Sequence, residues 1–388
     1  MTLQLWELQK IIGVAFIMNN ENGVLVDGRN YGIDLLIIVS MIMVVMLHTL
    51  YHGGILNNVE SGSTNYYIVW FLEATAVCAV NCYALISGYV GAKSKFRISN
   101  LVALWVRVVF YSVIISIVFI VLFPNQVGKG RLLFSLFPVL SGEYWYFTAY
   151  FLLFFFMPIL NIAIQKLSFR MISFIIFALI VLLTITKPLS DIFFFPDVFH
   201  LFEGGFSAWW LMVLYLIGGY IWKYGLFKRL KTVFLVLLYA LFVCLIWFSK
   251  FIIGNITLSV FGEIRYDDLF FKYDSITVLM AAVFLFLVFE RIRLTKTIIR
   301  IVSCLAPLSF SVYILHDNYC VRKIILHDMF SWVSELYPIY MVLLVLGIVL
   351  GIYLFCSGID WFRERLFLLL RIKEKLCSLE NKIKAKIK

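Results

Sequence analysis

The chain has 388 residues, of which 63% are hydrophobic and only 14% are charged, and its mean hydropathy is +0.99. Soluble domains are typically about 45–50% apolar and about 25% charged, so this composition excludes an ordinary soluble protein. The apolar residues form long continuous runs, whereas membrane β-barrels have short segments that alternate apolar and polar residues. The sequence therefore predicts an all-α polytopic membrane protein.

Apolar runs of about 17–25 residues predict about ten transmembrane helices. Residues 1–28 precede the first run and are predicted to be an N-terminal extension, residues 29–357 to form the membrane domain, and residues 358–388 to form a basic amphipathic cytoplasmic tail. The predicted spans lie near 31–50, 66–90, 101–123, 143–161, 171–187, 207–222, 232–253, 274–290, 299–316 and 338–357.

The formal net charge of +11 is distributed unevenly along the chain. Basic residues concentrate in the tail and in the alternate connections 93–97, 166–170, 223–231 and 291–300. Because Lys and Arg favour cytoplasmic loops, these connections and both termini are predicted to be cytoplasmic. The topology accounts for the charge without a nucleic-acid partner. We expect the tail to lie on anionic membrane lipids, and a solvated tail is the alternative.

The first apolar run, from Tyr31 to Leu50, carries two ionisable residues, Asp34 and His48. Such side chains in hydrocarbon cost at least a few kcal/mol and normally face protein or a water-filled cavity. At ~100° per residue, their spacing is about 40° short of four full turns, so both should lie on one inward face. The alternative for His48 is a buried, hydrogen-bonded histidine with a structural role.

The predicted topology brings polar residues from four segments to the outer third of the membrane. His48 lies at the outer end of the first span, and Glu73 lies ~10 Å inside the second. Glu143 and Tyr146 lie at the mouth of the fourth span, and His316 lies at the exit of the ninth. A buried carboxylate needs a partner, so we predict that Glu73 pairs with His48. Such a pair suits general base catalysis on a hydroxyl group.

A zinc site built from the histidines is a less favoured alternative, because we recognise no HxxxH or HExxH ligand spacing among them. We therefore predict no metal site. On the cytoplasmic side, Lys93, Arg97 and Arg107 surround the ends of the second and third spans. Positive-inside topology alone would explain these cations, and docking of a phosphate-rich cofactor is the less favoured alternative.

Four segments of the chain match a known pattern in order and spacing. They are RNYGIDLL followed by MVVMLH in the first span, NCYALISGYVG in the second, YWYFTAYFLLFFFMPILN in the fourth and LSFSVYILH in the ninth. From about Arg29 to the end of the tenth span, this set resembles the integral-membrane acyltransferase family 3. Members of that family O-acylate, and mostly O-acetylate, cell-surface glycans and related acceptors in bacteria.

The resemblance implies a multi-pass protein of the bacterial plasma membrane, an acyl-CoA donor such as acetyl-CoA, and a hydroxyl of a surface or lipid-linked glycan as acceptor. His48 occupies the position of the essential histidine of the family and is expected to act as general base, held by Glu73. The other expected site residues fall into an acceptor-side group and a donor-binding group: Glu143, Tyr146 and His316; Lys93, Arg97 and Arg107.

The sequence departs from the family pattern at two positions. Ile37 replaces an arginine eleven residues before His48, and Leu104 replaces the expected partner of Arg107. Two alternatives therefore remain beside an acyltransferase. One is a transporter for a glycan or lipid-linked intermediate, and the other is a catalytically degenerate family member.

Overall fold

The computed structural model describes residues 29–94, 96–193 and 204–387. The predicted N-terminal extension, residues 1–28, lies outside the described residues. Regular secondary structure within the described residues is entirely helical and includes no strand, which confirms the all-α prediction.

The helices of the described residues are labelled in chain order. They are α1 Tyr31–Tyr51, α2 Ile55–Asn58, α3 Thr64–Ala76, α4 Ala79–Gly91, α5 Ile98–Leu122, α6 Arg131–Leu136, α7 Trp145–Lys166, α8 Phe169–Phe193, α9 Ala208–Tyr224, α10 Thr232–Phe261, α11 Ile276–Arg291, α12 Lys296–Leu305, α13 Ser309–His316, α14 Pro338–Leu369 and α15 Ile372–Ile387. A 3₁₀ turn, Ala306–Leu308, joins α12 to α13.

Every predicted span corresponds to a helical segment, and eight of these segments are long and apolar enough to cross a membrane. This confirms a polytopic membrane protein. The other two predicted spans correspond to α8, whose apolar part is Phe169–Ile185, and to the 17-residue α9. The count of ten and the cytoplasmic location of the termini stay predictions.

Helix α1 lies in the middle of the bundle, where it contacts α3, α4, α11, α13 and α14. Asn30 fixes the start of α1, because its Oδ1 accepts a hydrogen bond from Gly32 N at 3.0 Å and its Nδ2 donates to Glu290 O at 2.7 Å. Asp34 is 3% exposed, and its Oδ2 accepts a hydrogen bond from Arg29 Nε at 2.7 Å. The ionisable face of α1 therefore turns inward, as the spacing predicts.

Helices α4 and α9 approach each other through a reciprocal pair of glycines. A Cβ atom on Gly88 of α4 would lie 2.0 Å from Tyr215 O, and a Cβ atom on Gly218 of α9 would lie 2.1 Å from Leu85 O. Only a residue without a side chain permits backbones to come this close, which is how small residues tighten helix packing in membranes. Helix α4 thereby connects the central α1 to the α7–α9 side of the bundle.

The C-terminal segment packs against the bundle as two helices. Helix α14 continues past the predicted domain boundary at 357, and Asp360 and Arg363 within it are buried. Helix α15 then packs against the start of α5, where Glu380 Oε2 accepts a hydrogen bond from Ser99 N at 3.2 Å. The contact of the tail with lipid stays a prediction.

We expect Gly88→Ala to destabilise the protein by about 1–3 kcal/mol, because the added methyl group collides with the backbone of α9 and forces the helices apart. The matched control is Gly347→Ala in α14, where a Cβ atom would meet nothing within 4 Å. Thermal unfolding of both variants in detergent measures the difference. Equal midpoints for the two variants would contradict the close α4–α9 packing.

Candidate functional site

Two histidine rings meet where the last turn of α1 lies beside the end of α13. His48 Nδ1 lies 2.9 Å from His316 Nε2, and the two ring centroids are 5.0 Å apart. His316 is 3% exposed, while the side chain of His48 retains 20% exposure. The pair therefore has one ring fixed inside the protein and one ring that is partly accessible.

The hydrogen bonds of the pair determine where the protons lie. His316 Nδ1 is 2.6 Å from Val312 O, and a carbonyl oxygen can only accept, so Nδ1 of His316 is the donor. With both rings neutral, Nε2 of His316 is then an acceptor and His48 Nδ1 donates to it. This arrangement leaves the lone pair on Nε2 of His48, on the more accessible ring. That atom is suited to accept a proton.

Asp317 provides a carboxylate directly beside this pair. Its Oδ1 lies 3.7 Å from His48 Nδ1 and accepts a hydrogen bond from Arg322 Nη1 at 3.0 Å. Burial raises the pKa of the Asp317 carboxyl group, and the neighbouring Arg322 guanidinium opposes that shift. As a carboxylate, Asp317 stabilises a positive charge on the His48 ring.

Glu143 holds the segment that carries His316 and Asp317. Its Oε1 forms an ion pair with Arg131 and accepts hydrogen bonds from Asn318 Nδ2 at 2.9 Å and Tyr319 N at 3.4 Å. Burial raises the pKa of the Glu143 carboxyl group, and Arg131 opposes the rise. Glu143 was predicted to line the acceptor side, whereas these contacts give it a role in positioning the residues after α13.

Tyr144 adds a second tie to the same segment. Its hydroxyl donates to Ile314 O at 3.1 Å and accepts from Asn318 Nδ2 at 2.8 Å. The next tyrosine, Tyr146, is half-buried, and its ring stacks on that of Tyr150 at 6.3 Å. The start of α7 thus supports the histidine pair from one side.

The predicted pairing of Glu73 with His48 is absent from the structure. Glu73 Oε2 is buried without a hydrogen-bond partner among the described residues, and Lys250 of α10 is its charged neighbour. Lys250 Nζ itself pairs with Asp267 Oδ2 at 2.6 Å and lies 3.7 Å from the centre of the Trp70 ring. The membrane depth of Glu73 stays a prediction. The carboxylate beside His48 is Asp317 instead.

The predicted donor-binding cations lie at different depths. Lys93 is exposed and Arg97 is half-buried at the start of α5. Arg107 is half-buried further along α5, where its electrostatic neighbours include Arg363 and Asp360. Arg107 makes no hydrogen bond or ion pair with any of the described residues.

A buried ion pair within α14 is hydrogen-bonded to α5 near Arg107. Arg363 donates to Asp360 through two hydrogen bonds, Nε to Oδ1 at 2.7 Å and Nη2 to Oδ2 at 2.8 Å. Tyr111 of α5 adds a third, from its hydroxyl to Asp360 Oδ1 at 2.6 Å. A bidentate Arg–carboxylate pair satisfies both oxygens in one plane. Arg363 thus places a second guanidinium near Arg107.

Sequence reasoning missed three groups of this region. Asp317 directly follows α13, and only the turn after His316 brings Arg322, five residues later, to its side chain. Asp360 was assigned to the tail, although an Asp–Arg pair three residues apart at the end of an apolar run is a usable signal. His52 received no predicted role, yet its ring lies 5.3 Å from that of His48, one helical turn earlier.

Comparison with known proteins adds one match. No curated protein and no solved structure matches the chain. A family model described as an acyltransferase domain matches residues 30–357. The chain therefore belongs to the acyltransferase family 3.

Proposed function

We propose that this protein transfers an acyl group, most simply acetyl, from acyl-CoA to a hydroxyl group of a cell-surface or lipid-linked glycan in the bacterial plasma membrane. The family membership supports acyl transfer in general. The observation that carries the proposal is the hydrogen-bond chain from Val312 O through His316 to His48, because it leaves a basic nitrogen on the accessible ring.

In this proposal Nε2 of His48 removes the proton from the acceptor hydroxyl. The oxygen attacks the thioester carbonyl of the donor, the new C–O bond forms, and the C–S bond breaks. The proton then passes from the His48 imidazolium to the departing thiolate, so that the O-acyl glycan and CoA are the products. General acid–base catalysis of this kind contributes typically about 10²–10⁴-fold to the rate.

Asp317 and His316 have distinct positioning roles in this step. His316 accepts the Nδ1 proton of His48 and thereby fixes the tautomer that leaves Nε2 basic. Asp317, at 3.7 Å from Nδ1, offsets the positive charge that develops on the ring. The division resembles other catalytic sites in which a second group orients the base.

We propose that the donor binds from the predicted cytoplasmic side with its phosphates near Arg107, whose guanidinium has no hydrogen bond with the described residues. Arginine binds phosphate oxygens in a planar, bidentate geometry. Lys93 and Arg97 would attract the donor to the same end of the chain.

A buried hydroxyl group lies further along the helix that carries Arg107. Ser116 of α5 has a hydroxyl oxygen that is buried without a hydrogen-bond partner among the described residues. An unsatisfied buried polar group costs about 1–3 kcal/mol, which favours a partner at this position. We propose that the amide-bearing arm of the donor, or water that follows it, supplies this partner.

A catalytically degenerate member is the second candidate, and Ile37 favours it. Ile37 is fully buried, and its carbonyl oxygen accepts a hydrogen bond from Tyr83 at 2.7 Å. The α1 position that carries an arginine in the family pattern therefore packs in the apolar core. Such a protein would retain the bundle and bind glycan or donor without transferring an acyl group.

We expect His48→Ala to abolish O-acyl groups on the surface glycan, because the variant lacks Nε2 of His48, the nitrogen that the hydrogen-bond chain leaves basic on the accessible ring. The measurement is the acetyl signal in NMR spectra of the purified polysaccharide, with membrane protein level followed by immunoblot. The control is His327→Ala, which removes a histidine whose side chain is 61% exposed. Normal acetylation in the His48 variant would reject the catalytic proposal, and absent acetylation in the unmodified protein would favour the degenerate member.

His316 provides a test of the tautomer argument. We expect His316→Ala to lower kcat roughly 10–100-fold while leaving the KM for the acceptor within about twofold, because the base is then free to adopt the wrong tautomer. His316→Gln retains a side-chain acceptor for the His48 proton and should recover part of the loss. Equal kcat values for the alanine and glutamine variants would contradict a positioning role.

We expect Arg107→Gln to raise the KM for acyl-CoA about tenfold, since one charge-assisted hydrogen bond to phosphate is worth ~1.5–3 kcal/mol. The matched control is Arg300→Gln on α12, which removes an exposed cation. Initial rates at varied acyl-CoA concentration in nanodiscs separate KM from kcat. An equal response of KM in both variants would show that only general charge matters.

A further inference from the structure

The last turn of α1 presents a second histidine beside the proposed base. His48 and His52 are four residues apart, so they lie on the same face of the helix, one turn from each other. Together with Asp317 they offer one ligand atom each, and these three atoms all lie within 4.8 Å of one another. The expectation that the histidines lack an HxxxH spacing is therefore wrong, and the fold adds the Asp317 carboxylate to His48 and His52.

We propose that His48, His52 and Asp317 bind a divalent transition-metal ion such as Zn²⁺. Two imidazoles and one carboxylate form a ligand set that suits Zn²⁺, with a fourth position left for water. Hard cations such as Mg²⁺ and Ca²⁺ prefer oxygen ligands throughout, so they fit this set poorly.

The surroundings of His48 already match those of a metal ligand. A ligating histidine almost always donates its other ring N–H to a neighbouring group, which orients the ring and raises its basicity. His48 donates from Nδ1 to His316, which leaves Nε2 as the nitrogen for a metal. Asp317 Oδ1 lies 3.7 Å from Nδ1, so the Asp317 carboxylate must turn toward Nε2 to share that metal. His316 therefore supports the same nitrogen whether it accepts a proton or a metal ion.

Small side-chain movements close the site. Ligand atoms of a tetrahedral zinc ion are about 3.4 Å apart, given Zn–N and Zn–O bonds of about 2.0–2.2 Å. The widest separation between the three ligand atoms is at most 4.8 Å, so it must shrink by no more than about 1.4 Å. His52 can supply that movement because it is half-buried and lies at the end of α1.

Arg322 opposes metal binding, so its removal is expected to raise the metal affinity of the site. Its guanidinium donates to Asp317 Oδ1 at 3.0 Å, and this cation competes with a metal for the same carboxylate. No hydrogen bond to Oδ2 of Asp317 is present among the described residues, so one oxygen can turn toward the metal. Removing the Arg322 charge should therefore strengthen metal binding.

A metal ion on Nε2 of His48 would occupy the lone pair that accepts the proton in catalysis. The inference of inhibition rests on the proposed function, whereas the inference of binding does not. We accordingly expect micromolar Zn²⁺ to inhibit acyl transfer reversibly, with activity restored by a chelator.

The test uses the purified full-length protein in nanodiscs, with Co²⁺ as an absorbing probe that Zn²⁺ displaces. We expect one Co²⁺ per chain, with d–d bands typical of nitrogen and oxygen ligands. His52→Ala should raise the dissociation constant at least tenfold, and Arg322→Gln should lower it several-fold. His327→Ala is the matched control, because its imidazole and the Asp328 carboxylate, 3.1 Å apart, form a His–carboxylate pair that lacks a third ligand.

Absence of Co²⁺ bands, or binding that His52→Ala leaves unchanged, would overturn the metal site. Weaker metal binding in Arg322→Gln would also overturn it. If Arg322 competes with the metal for Asp317, removal of its charge must strengthen binding. The activity measurement is normalised to the metal-free rate of each variant, and His52→Ala should require at least tenfold more Zn²⁺ for half inhibition. Metal binding without any metal-free acyl transfer would overturn the proposed function and leave the metal site intact.

Discussion

The hydrogen bond between the rings of His48 and His316 is the interaction on which the site depends. It joins the central helix α1 to α13, and it requires the proton on His316 Nδ1 to face Val312 O. Because each ring orients the next, the free lone pair emerges at a defined atom. An isolated histidine at the end of α1 would have no such preference between its ring nitrogens.

The surrounding ionic contacts hold this pair in place from outside. Glu143 and Tyr144, just before α7, bind backbone and side-chain groups on both sides of His316. In an apolar bundle, breaking these hydrogen bonds costs free energy because the unpaired polar groups have no water to bind. The site is therefore rigid on the α13 side, and its accessible member is His48.

The sequence was sufficient to predict the helical membrane class, the inward face of α1 and the approach of His48 and His316 to one end of the bundle. Hydrophobic runs and residue depth carry that information. Depth does not specify the direction around a helix axis, and Glu73 illustrates this gap, because its charged neighbour is Lys250 and it does not pair with His48. The carboxylate beside His48 belongs to Asp317. Its position depends on the turn after α13, which the hydrophobic periodicity of the helices does not predict. Asp360 was missed because basic neighbours made its helix resemble a solvated tail, although its carboxylate is fully buried.

The contact between Glu380 and the start of α5 has a mechanical consequence. The first turn of a helix has backbone N–H groups without internal partners, and Glu380 accepts a hydrogen bond from one of them, at Ser99. The same helix carries Arg107 and Tyr111 farther along its length. The C-terminal helix α15 therefore restrains the first turn of α5. A force or a binding partner that pulls α15 away would loosen that turn, and with it the helix that carries Arg107 and Tyr111.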